Sequence, residues 1–152
     1  MLRKKKMENN VISIGNAGEY FVAGELERRG YTAAVPMSNT KDFDILAINR
    51  DNYNQYAIQV KTTRNKKKEW ILSKKNEDIV GKNIFYIFVS LNNLENRNYH
   101  IVSSKIVAET LKNNHQLWLK TLGKNGQKHN DNNMRKFEDN EDKFLNKWDY
   151  LK

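Results

Sequence analysis

Apolar residues along the chain fall into short runs whose spacing switches between helical and alternating. Ile14, Ala17, Phe21, Val22 and Leu26 recur at helical spacing and predict a first helix from Ile14 to Arg29, with Ser13 placed to cap it and Gly30 to stop it. Tyr31 to Met37 predicts a strand, ended by Pro36 and the polar turn Ser38-Asn39-Thr40-Lys41. Phe43 to Asn49 and Gln55 to Thr62 read as two further strands. The turn residues Asn49-Arg50-Asp51-Asn52 between them make an antiparallel hairpin the simplest connection. Trp70-Ile71-Leu72 is a short strand or turn, and Ser73 can cap a short helix to about Val80, ended by Gly81. Asn83 to Leu91, NIFYIFVSL, is the most apolar run and predicts a buried central strand. Tyr99 to Val102 is another short strand. A helix from Ser103 or Ser104 to about Asn113 follows, then a second helical or irregular piece from Gln116 to Leu122. Residues 123–136 read as a polar mobile loop, and Asn140 to Tyr150 as a terminal helix. No repeat or internal boundary breaks the pattern. One domain over residues 1–152 is expected, with 1–12 a flexible tail.

The hairpin carries the candidate chemistry. Side chains alternate faces along a strand, so Asp44, Leu46 and Ile48 share one face of the first strand. On the second, Gln59 and Lys61 share a face with Ala57, while Ile58 and Val60 point the other way. A carboxylate heading one strand can therefore meet an amide and an ammonium ending the next. An ordinary cross-strand ion pair between Asp44 and Lys61 would use the same residues.

Composition narrows the partners. The 152 residues are 30% charged and 38% hydrophobic, with a net charge of +9 and no cysteine. The positive charge favours a polyanionic partner, with nucleic acid the commonest. The absence of cysteine excludes disulfides and thiolate metal sites. No apolar run approaches the ~20 residues of a membrane span, and the basic start MLRKKKMENN lacks the apolar core of a signal peptide. A cytoplasmic protein is expected. His100, His115 and His129 lack metal-ligand spacing.

The first helix offers two acids. Glu19 borders the apolar stripe, while Glu25 lies nearer its centre, so periodicity alone slightly favours Glu25 as the unusual one. A family resemblance separates them. Gly18-Glu19-Tyr20 early in the helix, the helix-ending Gly30-Tyr31, Asp44-Ile45-Leu46-Ala47 and Gln59-Val60-Lys61 occur in the order of the PD-(D/E)XK nuclease core. Over roughly residues 13–63 the chain resembles the small, Holliday-junction-resolvase-like members of that superfamily. The resemblance selects Glu19 and implies an α/β fold: a restriction-endonuclease-like mixed central sheet flanked by helices, in the order α-β-β-β-α-β. Gln59 stands where the family usually has an acid, a departure shared by some of its members.

The resemblance also implies a metal-dependent endonuclease hydrolysing phosphodiester bonds, in DNA, with Mg2+ or Mn2+ as cofactor. Asp44 would be the central ligand, beside the Gln59 amide oxygen and the Val60 carbonyl, with Glu19 reaching in from the helix. Lys61 would orient the attacking water and stabilise developing charge. Ser38, Asn39 and Thr40, and the basic run Arg64, Lys66, Lys67 and Lys68, are candidate phosphate contacts. Resolvase-like proteins act as dimers, and the aromatic residues near the C-terminus suggest a surface for a homodimer. The alternative is an inactive nuclease-fold module that binds nucleic acid or a protein, since glutamine brings no charge to the metal. A toxin or defence component held in check by a partner is a third reading.

Overall fold

The computed structural model describes residues 11–37, 43–92 and 95–152, and side chains from Ser13 onward. Helix α1 spans Val11–Arg28 and is followed by strands β1 (Tyr31–Ala34), β2 (Ile45–Asn49), β3 (Gln55–Thr63) and β4 (Glu69–Ser73). A 3-10 turn at Lys74–Glu77 leads to β5 (Ile84–Ser90) and β6 (Asn98–Ser103). Helix α2 (Ser104–Lys120), strand β7 (Met134–Glu138) and a 3-10 turn at Trp148–Tyr150 complete the chain.

Five strands form one sheet in the order β1-β2-β3-β5-β6, and β4 pairs with β7 in a separate ribbon. The sheet is mixed: β3 and β5 run parallel, and the other pairs are antiparallel. Its two faces bury different layers. Ile45, Ala47, Tyr56, Ile58, Val60, Phe85, Ile87 and Val89 pack with Val22 and Leu26 of α1. The alternate residues Tyr86 and Phe88 pack with Val107 and Leu111 of α2 and with Trp70, Leu72 and Phe137 of the ribbon. β5 is buried on both faces, as its unbroken apolar run implies. The expected fold class is met: a restriction-endonuclease-like mixed sheet flanked by helices.

Several boundaries differ from expectation, each for a local reason. Ser13 does not cap α1, because the helix already runs from Val11. Gly30 does end it, at φ 92°, a left-handed conformation that suits glycine. β1 stops at Ala34, short of Pro36. β2 begins at Ile45, so Asp44 stands just before the strand. The helix expected from Ser73 to Val80 is only a 3-10 turn, since the Asn76 side chain folds back to accept the Ser73 backbone N–H at 3.0 Å. Helix α2 runs on through Asn113, where a break was expected, because His115 continues the buried face of Val107, Ala108 and Leu111.

The loop expected over 123–136 gives way at Met134 to β7. Its alternating burial was hidden because one inward residue is Arg135. The terminal helix expected over 140–150 does not form, apart from the 3-10 turn. The buried Asp139 accepts the backbone N–H groups of Lys143 (2.8 Å) and Phe144 (2.9 Å), an alternative to helical pairing. Asp142 (φ 58°) and Asn146 (φ 54°) adopt left-handed conformations that a helix does not allow. Phe144 and Trp148 are both buried, so the aromatic residues expected as a dimer surface mostly belong to the core.

Candidate active site

The site forms where β2 ends and β3 continues. The register of β2 on β3 runs from Ile48↔Gln55 to Ile45↔Ile58. Asp44 adds one more bond, donating its N–H to the Ile58 carbonyl at 2.9 Å. Beyond it β3 remains paired with β5 as far as Thr63↔Ser90, but among the described residues no strand pairs with its other edge there. The Asp44 side chain occupies the first vacated position. Its Oδ2 accepts the Val60 N–H at 2.7 Å. A residue in an extended strand sends its N–H and C=O to the same edge, so the Val60 carbonyl opens beside Asp44.

Gln59 and Lys61 alternate with Ile58 and Val60 and lie on the α2 side of the sheet. Leu46 opposes Ala57 on that side, and Asp44, just before the strand, turns its side chain to the Val60 N–H at the edge of β3. Glu19 comes from the other layer. Partial burial is the main cause holding its carboxyl above the usual glutamate range. The negative charge of Asp44 adds to this, and Lys61 opposes it. Asp44 and Lys61 thus both act on Glu19 across the sheet. Gly18 makes the approach of α1 close: a Cβ there would lie 1.9 Å from Thr62 Oγ1.

Glu25 has a different task. Its carboxylate binds Arg28 and Arg29, each at 2.8 Å, and the Arg28 hydrogen bond is the main cause holding its pKa below the usual range. The two acids that helical periodicity left open are therefore separated by their surroundings.

Gln59 is only 6% exposed. Its Oε1 faces Asn76, whose Nδ2 donates to it at 3.4 Å and to the Tyr86 hydroxyl at 2.9 Å. Burial raises the Tyr86 pKa, and the charge of Asp44 pushes the same way, so Tyr86 also belongs to the site's surroundings. Neither Asn76 nor Tyr86 was foreseen. Tyr86 lies inside an apolar run, and the Ser73-to-Asn76 spacing signals only a turn.

Arg64, Lys66 and Lys67 are exposed on the segment that leaves β3 directly after the site. Lys68, expected with them, instead pairs with Asp142, and its backbone N–H is held by Asn140 at 3.1 Å. Ser38, Asn39 and Thr40 lie outside the described residues. His129 stacks on Trp118 with ring centres 4.1 Å apart, Asp131 holds His115 Nε2 at 2.7 Å, and Arg135 is buried against Glu77. These contacts tie His129, Asp131 and Arg135 to neighbouring protein groups.

The donor set suits a hard cation. It offers the Glu19 and Asp44 carboxylates and the Val60 carbonyl, all oxygen. Among the described residues no group of three or more His, Cys, Asp or Glu side chains gathers, so these side chains alone could offer a cation at most two ligands in one place. Magnesium is commonly held by one or two carboxylates together with water and substrate phosphate. The repulsion between Glu19 and Asp44 is what a bound cation would relieve.

No protein-family model matches the chain, and no curated protein matches it. Among solved structures, a bacterial homing endonuclease, I-Ssp6803I, aligns over 93% of this chain and 91% of that one, with a TM-score of 0.55 at 8% identity. Hjc, a Holliday junction resolvase from Archaeoglobus fulgidus, aligns over 82% of this chain and 84% of that one, with a TM-score of 0.49 at 15% identity. The likeness to the homing endonuclease is one of fold.

Proposed function

We propose that the protein is a divalent-cation-dependent endonuclease that hydrolyses phosphodiester bonds in DNA. The observation that carries this reading is the charge of Asp44 and of Lys61 acting on Glu19, with Asp44 held by the Val60 N–H where β3 outruns β2. The nuclease fold and the net charge of +9 support it.

A bound Mg2+ or Mn2+ would supply charge neutralisation at the phosphate and a more acidic water. Asp44, Glu19 and the Val60 carbonyl are the groups to hold it. Asp44 is positioned by its bond to the Val60 N–H, which aims the carboxylate without a flexible loop. Lys61 stands by to orient the attacking water and stabilise the charge that builds on the phosphoryl oxygens. Arg64, Lys66 and Lys67 continue from the same strand and can follow the nucleic-acid backbone, which would make binding salt-dependent.

The second reading is a nuclease-fold module that binds without cutting, favoured by the uncharged Gln59 in the third motif. Incubating linear, nicked and branched DNA with the protein and Mg2+ or Mn2+, beside Lys61→Ala, separates the two. Cleavage by the parent and none by the variant supports the enzyme. Equal binding by both, with no cleavage in either metal, supports the module.

A further inference from the structure

Among the described residues, β7 has a strand partner on one side only. We propose that its other edge is a self-association surface, on which β7 of a second copy of this chain adds as an antiparallel strand. The pairing is centred on Phe137 and clasped by Lys136–Glu138 ion pairs between the copies.

The bonds at the two ends of the β4–β7 ribbon fix which backbone groups face that edge. The Lys74 N–H donates to the Asn133 carbonyl at 2.9 Å and the Asp139 N–H to the Lys68 carbonyl at 3.0 Å, just outside the pairs Ser73↔Met134 and Glu69↔Glu138. A bond that straddles a pair marks it as a non-hydrogen-bonded one, and the two kinds alternate along an antiparallel ladder. Glu69↔Glu138, Ile71↔Lys136 and Ser73↔Met134 are therefore non-hydrogen-bonded pairs, and Met134, Lys136 and Glu138 turn their N–H and C=O groups away from β4. Those of Met134 are taken within the chain: its N–H donates to Asn132 Oδ1 at 2.9 Å, and its carbonyl accepts from Arg135 at 2.9 Å. Those of Lys136 and Glu138 meet no partner among the described residues. Donors and acceptors alternating in a row suit another extended strand. The groove beside β7, walled on its far side by Leu117 and Trp118 of α2, has a volume of about 490 Å³ and leaves room for one.

The side chains select which strand. Lys136 binds Glu138 at 2.9 Å and Glu69 at 3.3 Å, so two acids that oppose each other across the ribbon share one ammonium. Like charges directly opposed are unfavourable, and a second cation set against Glu138 relieves them. A charged edge ordinarily guards against strand addition. Here Lys136-Phe137-Glu138 is its own complement when the direction is reversed. An antiparallel two-fold centred on Phe137 sets Lys136 opposite the partner's Glu138, and Glu138 opposite the partner's Lys136. Both become hydrogen-bonded pairs, which use every free N–H and C=O of the two residues. Centring the axis on Lys136 instead opposes two lysines, and centring it on Arg135 sets Lys136 against the partner's Met134. One register alone pairs the charges twice, and a two-fold axis, the commonest symmetry of homo-oligomers, generates it.

Sedimentation equilibrium of the full chain over a range of concentrations tests this, in moderate salt that screens the repulsion between two chains of net charge +9. The parent is expected to form a dimer. Lys136→Glu and Glu138→Lys each set like charges opposite one another, and each is expected to weaken the dimer about tenfold or more. The two side chains are 47% and 43% exposed, so each variant keeps its fold, as melting curves check. Two recoveries are specific to the register. The double swap, Lys136→Glu with Glu138→Lys, reverses the order of the charges and is expected to dimerise like the parent. An equimolar mixture of the two single variants is expected to form a mixed dimer, although each alone associates weakly. A parent that stays monomeric overturns the proposal and leaves the edge to an extended segment of another protein. A dimer that both single variants leave intact overturns it too. So does a dimer that the single changes weaken and that neither the swap nor the mixture recovers. These readouts do not involve cleavage, so the nuclease reading stands or falls separately.

Discussion

The carboxylate of Asp44 takes a hydrogen bond from the backbone N–H of Val60 at 2.7 Å, in the position a longer β2 would have filled with its own carbonyl. A side chain thus completes the ladder while leaving one oxygen for other work. Asp44→Asn keeps an acceptor for Val60 and removes the charge. It is expected to alter stability by no more than about 1 kcal/mol and to lower cleavage on the order of 100-fold or more. Denaturant titration and a cleavage time course check both halves. Full cleavage by the variant would remove Asp44 from the site.

Glu19 sets a pH dependence whose sign follows from its raised pKa. In the native protein it keeps its proton above the pH at which an unfolded glutamate gives it up. Native stability is therefore lost as pH rises from the ordinary glutamate value through the raised one, and the loss stays constant above that. Glu19→Gln lacks this loss, so the metal-free variant should be at least as stable as the parent at neutral pH, and no more stable than it below the ordinary glutamate pKa. Cation binding needs the ionised carboxyl. Mn2+ affinity should thus weaken, as pH falls, at a higher pH than an unperturbed glutamate would give, and Glu19→Gln should flatten that curve. Melting curves and titrations between pH 4 and pH 8 (roughly spanning the window) measure both.

Gly18 and Thr62 form a contact that leaves no space for a side chain. Gly18→Ala should cost ~1–3 kcal/mol by overpacking and should reduce activity by lifting α1, and Glu19 with it. Thr62 Oγ1 is buried and has no hydrogen-bond partner among the described residues, so deleting it sacrifices no bond to them. Combining Thr62→Ala with Gly18→Ala should restore much of the stability and activity. Failure of that rescue would show that the close approach does not govern where Glu19 sits.

Arg135 and Glu77 form an ion pair with side-chain exposures of 3% and 12%, joining β7 to the turn that carries Asn76. Removing one partner leaves a buried charge. Arg135→Ala should therefore lose ~3–5 kcal/mol. Arg135→Met combined with Glu77→Leu should lose much less, because neither charge remains. Chemical denaturation of the parent and the two variants gives the comparison.

Much of this architecture was legible from periodicity. The apolar β5 run, the alternating hairpin and the helical stripe of α1 each gave the correct element, because burial there follows apolar side chains. Where buried groups are polar, the reading failed. Arg135 masked β7, Asn76 shortened the crossover helix, and Asp139 converted a helix-like spacing of Phe144, Leu145 and Trp148 into turns. At the site, alternation placed Asp44, Gln59 and Lys61 on one face. It could not choose between Glu19 and Glu25, since the neighbours that mark Glu19, Asp44 and Lys61, come from distant strands; the arginines that hold Glu25 stand only three and four residues after it. Gln59 accepts a hydrogen bond from Asn76, seventeen positions further on, and nothing in the local pattern announces it.

The pairing of β4 with β7 joins Glu69–Ser73 to Met134–Glu138, across most of the second half of the chain. A nascent chain has made α1, Asp44 and Lys61 long before it has made β7. Until Glu138 clears the ribosome, Trp70 and Leu72 lack Phe137 as a cover, and the turn bearing Asn76 lacks its Arg135 anchor. Unfinished or truncated translation products thus leave Trp70 and Leu72 uncovered, apolar surface of the kind that promotes aggregation.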